Sequence, residues 1–160
     1  MKSIVWLICW PTPTTAMLWG WLGSGRPCAR CCGRFRQRPR PIGYCETVTQ
    51  FWELVLHLAA NIDFVLARLD GRELELSANA DWPAVPEPTV AAWEDALAAL
   101  DARYETLLER VGGLGDVQLA QPVVGRRYDV YAMLHGIIHH NVYHTGQIAL
   151  LRDVSGSRAA

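Results

Sequence analysis

From Thr47 onward, apolar residues of this 160-residue chain recur with the 3.6-residue period of an α-helix, in three stretches separated by helix breakers. The first runs from about Thr49 to Asp70. Its stripe is Phe51, Leu54, Val55, Leu58, Ile62, Val65, Leu66 and Leu69. Thr47 or Thr49 suits its N-cap, and Gly71 suits the position just past its end. The second runs from about Thr89 to Val111. Trp93, Leu97, Leu100, Tyr104, Leu107, Leu108 and Val111 form its seam, which Gly112 and Gly113 close. The third begins after Asp129, a capping residue by type, and continues to about Arg152. Segments 71–88 and 113–128 hold Asn79, Pro83, Pro86, Pro88, Pro122 and Gly125 and read as loops. No strand alternation persists and no internal repeat appears, so the chain is expected to be all-α.

Three amphipathic helices of this length call for a bundle. A four-helix bundle would draw its first helix from upstream of residue 46. That region has apolar patches at Ile4–Trp10 and Ala16–Leu22 but no sustained helical period, and it carries five prolines. The first helix is therefore expected to be degraded or missing, leaving part of the seam uncovered.

Composition changes the picture mainly by splitting it. At 51% hydrophobic and 19% charged residues, with a net charge of −1, the chain is no disordered polyelectrolyte. No apolar run reaches the roughly 18 residues of a membrane span. The near-neutral total conceals two halves. Residues 1–45 hold Lys2, six arginines, all five cysteines and no acid, whereas residues 46–160 hold eight arginines, all sixteen acids and all five histidines.

Four readings compete for the first block. As a signal peptide it would use Lys2 and Ile4–Trp10, but Pro11 and Pro13 interrupt the apolar run and no clean cleavage site follows. With no targeting segment legible, the cytoplasm is the expected location. A zinc site would use Cys28, Cys31, Cys32 and Cys45, yet a single Cys-x-x-Cys without a second pair is a weak signal. The Arg26–Arg40 cluster has the charge to meet phosphate backbones, although a solvated basic tail is the plainer reading, and the acidic second block repels nucleic acid. The fourth reading takes in more of the oddities. One lysine against fourteen arginines suggests a GC-rich gene, and such DNA read out of frame yields Arg, Gly, Pro, Cys and Trp. Much of residues 1–40 thus reads as a frameshifted or misannotated start. The nucleotide sequence upstream of codon 45 tests this.

The chemistry lies in the second block. On a helical wheel with Val130 at zero, Met133, Leu134, Ile137, Ile148 and Leu151 fall between roughly 300° and 40°. His140 and His144 fall near 280° and 320° on that apolar arc, while His135 and His139 fall near roughly 140° and 180°, on the surface side. One inward histidine is ordinarily a packed core residue. Two of them one turn apart equally suit a metal, because both imidazoles reach one ion. His57 lies at the flank of its stripe, with Asn61 one turn later. Alone it reads as a half-buried boundary residue. As a third ligand it would leave one position of a tetrahedral metal free, the mark of a catalytic site.

The segment His135-Gly-Ile-Ile-His-His-Asn-Val-Tyr-His144-Thr-Gly-Gln-Ile-Ala-Leu-Leu-Arg152 resembles the C-terminal signature of the DinB/YfiT-like metalloprotein superfamily. Phe51-Trp-Glu-Leu-Val-Leu-His-Leu58 resembles its upstream ligand helix, and the Trp82-Pro83 loop and the Trp93 helix follow in the family's order. The resemblance covers residues 39–152. Residues 1–38 do not match the family's first helix, and 153–160 read as a disordered tail.

It implies a four-helix bundle with a divalent metal, zinc or nickel, on His57, His140 and His144. Several relatives are transferases or isomerases that use low-molecular-weight thiols. The implied function is therefore activation of such a thiol, or of water, against a small electrophilic substrate. Gln147, Asn61 and Glu53 are candidates to support the ligands or the substrate. Tyr143 is expected to pack, and no catalytic residue or general base stands out. Relatives often pair, so a homodimer is expected. A metal-binding domain without catalysis is the alternative.

Overall fold

The computed structural model describes residues 43–86 and 89–157, with side chains described for 50–86 and 89–151. The basic segment, the Cys28, Cys31 and Cys32 cluster, the Cys45 side chain, the Arg26–Arg40 cluster, the expected first helix and residues 158–160 lie outside that description. Among the described residues five helices follow in order: α1 (Gly43–Leu69), α2 (Ala78–Asp81), α3 (Val90–Gly112), α4 (Asp116–Leu119) and α5 (Val130–Ser157). No strand occurs among the described residues. An isolated bridge between Pro122 and Asp129 closes the turn that leads into α5.

Local chemistry explains most of the helix ends. Asp70, Gly71 and Arg72 wrap back onto α1: Gly71 N–H donates to the Arg68 carbonyl (3.0 Å) and Arg72 N–H to that of Ala67 (2.9 Å). Gly71 adopts φ 73°, the left-handed conformation this cap requires. Thr89 caps α3, its hydroxyl accepting from Ala92 N–H at 3.1 Å, and Asp129 caps α5, its carboxylate accepting from Ala132 N–H at 2.8 Å.

The start of α1 differs from the expectation. The helix is already under way at Gly43, so Thr47 and Thr49 are interior positions. Threonine caps a helix only where the chain before it leaves helical geometry, and nothing between Gly43 and Thr49 breaks the helix. At the other end of the chain, α5 continues past Arg152 to Ser157.

The segments read as loops contain two single-turn helices. Ser77 caps α2 by accepting from Ala80 N–H, and Gly115 N–H donates to the Gln118 side chain at the start of α4. Four residues are too few to display a period of 3.6.

α1 is the central element. It packs along both α3 and α5. Leu58, Ile62, Leu100, Leu107, Leu134 and Val55 are fully enclosed between them, and the Trp52 and Trp93 rings meet edge to face at 5.4 Å. Ion pairs Arg103–Asp63 and Arg110–Asp70 span the α1–α3 rim.

The end of α1 is held by a residue that the apolar pattern does not single out. The Arg68 side chain is wholly buried. Its guanidinium donates to the carbonyls of Val124 (2.5 Å) and Leu74 (2.7 Å) and to Glu75 Oε1 (2.9 Å). Arg126 reaches the other Glu75 oxygen at 2.6 Å, and both arginines lie over the Phe64 ring. The loops before α2 and before α5 are thereby tied to one helix end. None of the described helices is long and apolar enough to cross a membrane.

Candidate metal centre

Because α1 and α5 pack side by side, His57 meets the His140–His144 pair. The three residues offer nitrogen atoms that all lie within 4.8 Å of one another. Ring centroids stand 4.8 Å apart for His57–His140, 4.7 Å for His57–His144 and 4.5 Å for His140–His144. His57 and His144 are buried and His140 is half-buried. Burial is the main cause that pushes the His140 and His144 pKa values below the ordinary imidazole value, with the neighbouring histidines adding to it. Both rings are therefore biased toward the neutral form, which has a lone pair to offer.

The hydrogen bonds determine where those lone pairs point. His57 Nδ1 lies 2.7 Å from the Asp81 carbonyl oxygen, which can only accept, so Nδ1 carries the proton. Asn61 lies near the same nitrogen, but its two amide hydrogens go to the His57 carbonyl (3.1 Å) and to Asp81 Oδ1 (2.9 Å). His144 Nδ1 donates to Gln147 Oε1 at 2.6 Å, and Gln147 Nε2 in turn donates to the Tyr143 hydroxyl at 3.1 Å. His140 Nδ1 faces Asn141 Oδ1 at 3.4 Å. Each ring thus has an oxygen acceptor at Nδ1 and a free lone pair at Nε2.

The Nε2 atoms of His57 and His140 approach to 2.9 Å. Two lone pairs at that distance repel unless a proton or a cation lies between them. Three imidazoles, each with an oxygen atom beside Nδ1, form a donor set that fits a divalent ion of intermediate softness. It does not fit magnesium or calcium, which prefer oxygen.

The structure therefore gathers His57, His140 and His144, with Asn61 and Gln147 hydrogen-bonded behind two of them. Glu53 makes no hydrogen bond to the imidazoles. It lines a cavity with Trp82 and Gln147. Tyr143, expected to pack, is 62% exposed and is held only by the Gln147 amide and the flank of His144. His139 is at the surface as its wheel position implies. His135 is not: its ring leans on Tyr131 at 4.5 Å and its Nε2 is buried without a partner. A wheel angle describes the helix alone and cannot register what lies against it.

Two neighbours of His57 were not legible beforehand. Asp81, at the end of α2, presents both its carbonyl and, at 3.2 Å, its carboxylate to Nδ1. Trp82 lies flat on the ring, with centroids 3.9 Å apart and planes 5° from parallel. Neither has a periodic relation to His57, from which Asp81 stands 24 residues away.

Comparison with known proteins adds one match. The family model of the DinB superfamily fits residues 34–148, which is more than half of the chain. No curated protein and no solved structure matches.

Proposed function

Since the chain belongs to the DinB superfamily, we propose that it holds one divalent metal ion on His57, His140 and His144 and turns it to chemistry on a small electrophilic substrate. The observation that carries this reading is the convergence of three Nε2 lone pairs whose Nδ1 partners are all oxygen atoms. Three protein ligands leave a coordination position for a reactant, as catalytic sites do and closed structural sites do not. Bound there, the ion would supply Lewis acidity that lowers the pKa of a thiol or of water in that position. A low-molecular-weight thiol is the nucleophile we assign, with zinc or nickel as the metal.

The chain's own residues orient the ligands and limit solvent. Asp81 and Asn61 hold His57 with Nδ1 protonated and Nε2 inward, and Gln147 does the same for His144. Trp82 covers the outer face of His57 and screens it from bulk water. No described side chain stands as a protein nucleophile in the cluster, so the bond-making atom belongs to a reactant.

Elemental analysis of purified protein, followed by a screen of thiols against electrophiles, tests the reading. Stoichiometric zinc or nickel with thiol-dependent turnover supports it. Protein that takes up no metal from a zinc- or nickel-containing buffer overturns it, and metal-loaded protein that consumes electrophile equally well without thiol replaces the thiol by water.

Asp81 offers a graded test. Asp81→Ala is expected to weaken metal binding by about 10- to 100-fold, the usual effect of losing a group that orients a histidine ligand. The backbone carbonyl remains, so the lower end of that range is expected. His139→Ala, on the exposed side of α5, is expected to leave the affinity unchanged. Competition with a chromogenic chelator measures both.

A further inference from the structure

α5 carries a second pair of histidines, on a side of the helix that the three-histidine cluster does not use. His135 and His139 have the same one-turn spacing as His140 and His144, so their rings project side by side. The centroids of His135 and His139 stand 6.2 Å apart, with planes 70° from parallel. On the same helix, that spacing brings the His140 and His144 centroids to 4.5 Å. His139 is exposed, so it is the ring that can swing toward its neighbour by a change of rotamer.

A second observation, independent of the spacing, concerns His135 itself. The residue is half-buried, and its Nε2 is shut off from water with no hydrogen-bond partner among the described residues. Enclosed polar atoms are ordinarily paired, and one without a partner points to a water or ion that belongs beside it. The ring leans on Tyr131 at 4.5 Å with a tilt of 46°. A half-turn about its Cβ–Cγ bond exchanges Nε2 with Cε1 and leaves the occupied space unchanged. Carbon then fills the enclosed position, the contact with Tyr131 is kept, and the nitrogen is released to bind.

We infer that His135 and His139 form a second metal site, holding one divalent late transition ion on two imidazoles with water in its other positions. Imidazole donors suit nickel, copper and zinc, whereas magnesium and calcium prefer oxygen. Two rings bind more weakly than three. Oxygen acceptors at Asp81 and Gln147 also fix the ring tautomers of the cluster, and no described residue does this for His135 or His139. The cluster therefore fills first, and the pair takes a second equivalent.

Nickel chloride, titrated into the full chain after one equivalent of zinc, tests this. Paramagnetic nickel broadens the imidazole NMR signals of the histidines that hold it, so the spectrum locates the ion. The His135 and His139 signals are expected to broaden together and ahead of those of His57. In His139→Ala, the His135 signal should need at least about tenfold more nickel, because the second ring binds intramolecularly once the first holds the ion. His139 is exposed, so the variant is expected to fold. The first equivalent still enters the cluster, whose affinity this substitution does not touch.

His140→Ala, titrated with nickel and no zinc, separates the pair from the cluster. That variant dismantles the cluster and should keep the joint response of His135 and His139. A His135 signal that nickel leaves sharp would overturn the second site, including the case in which thiolate-to-nickel absorption shows the ion on cysteines. So would equal broadening in His139→Ala, which would mean a single ring, or loss of the response in His140→Ala, which would put the ion in the cluster. A parent protein that takes up no zinc, with the pair still responding in His140→Ala, would overturn the function proposed above and leave the second site standing.

Discussion

His140→Ala is expected to remove nearly all metal from the purified protein. The variant leaves two nitrogen donors where three converge, and it removes the one whose Nε2 lies 2.9 Å from that of His57. Loss of a residue that merely orients a ligand costs about 10- to 100-fold in affinity, so loss of the ligand itself should exceed about 100-fold. Linkage provides a second readout. A ligand that binds only the folded chain, at 100 times its Kd, stabilises it by about 2.7 kcal/mol. The parent protein should gain that much in zinc and lose it in chelator, whereas His140→Ala should melt at nearly the same temperature in both. Without metal, the variant should be no less stable than the parent. The half-buried imidazole is crowded by two like groups and packs into no enclosed part of the core. A variant that still takes up one zinc per chain with unchanged affinity would place the metal elsewhere.

The second large effect concerns stability and lies far from the histidines. Arg68→Ala is expected to destabilise the fold by about 2–3 kcal/mol, because the buried guanidinium makes hydrogen bonds of the charged kind, worth roughly 1.5–3 kcal/mol. The substitution strips partners from the Leu74 and Val124 carbonyls and opens a void beside Phe64. Arg68→Lys should recover only part of this, because an ammonium cannot reproduce the planar fork that serves two carbonyls and a carboxylate together. Urea unfolding measures both variants, and a loss below about 1 kcal/mol for alanine would refute the role, since it would match an exposed pair.

The network also carries a pH signature. The Arg126 hydrogen bond is the main cause holding the Glu75 carboxyl below its ordinary value of 4.5, with Arg68 adding to it. A folded-state pKa below the unfolded one means that this contribution is complete above the ordinary carboxylate range. It is then lost as pH falls through the depressed value. Glu75 is exposed, so the effect is small. Glu75→Gln should flatten that part of the acid titration and leave the neutral region little changed.

Much of the fold was legible because helix formation is local. The stripe from Phe51 to Leu69, the Gly71 cap, and the Thr89 and Asp129 caps each depend on residues within one or two turns. The same locality made the His140–His144 pair readable, since one turn of helix sets their spacing. It also explains the misses. Thr47 and Thr49 look like caps, but α1 had already begun at Gly43. His135 sits on the outward side of its own helix, yet its Nε2 is enclosed. Asp81 and Trp82 lie in a segment that reads as a loop, and only the single turn of α2 aims them at His57.

By itself, then, the sequence determined an all-α chain, the presence and order of its three long helices, and two inward histidines one turn apart, all of which follow from backbone periodicity and capping. That His57 resembles a third ligand was readable from the family's motif. Tertiary structure alone decided which nitrogen each ring presents, that Asp81 sets the His57 tautomer, and that Arg68 ties two loops to one helix end. Those features rest on contacts between residues as far as 83 positions apart, and such distances are defined only once the helices have packed.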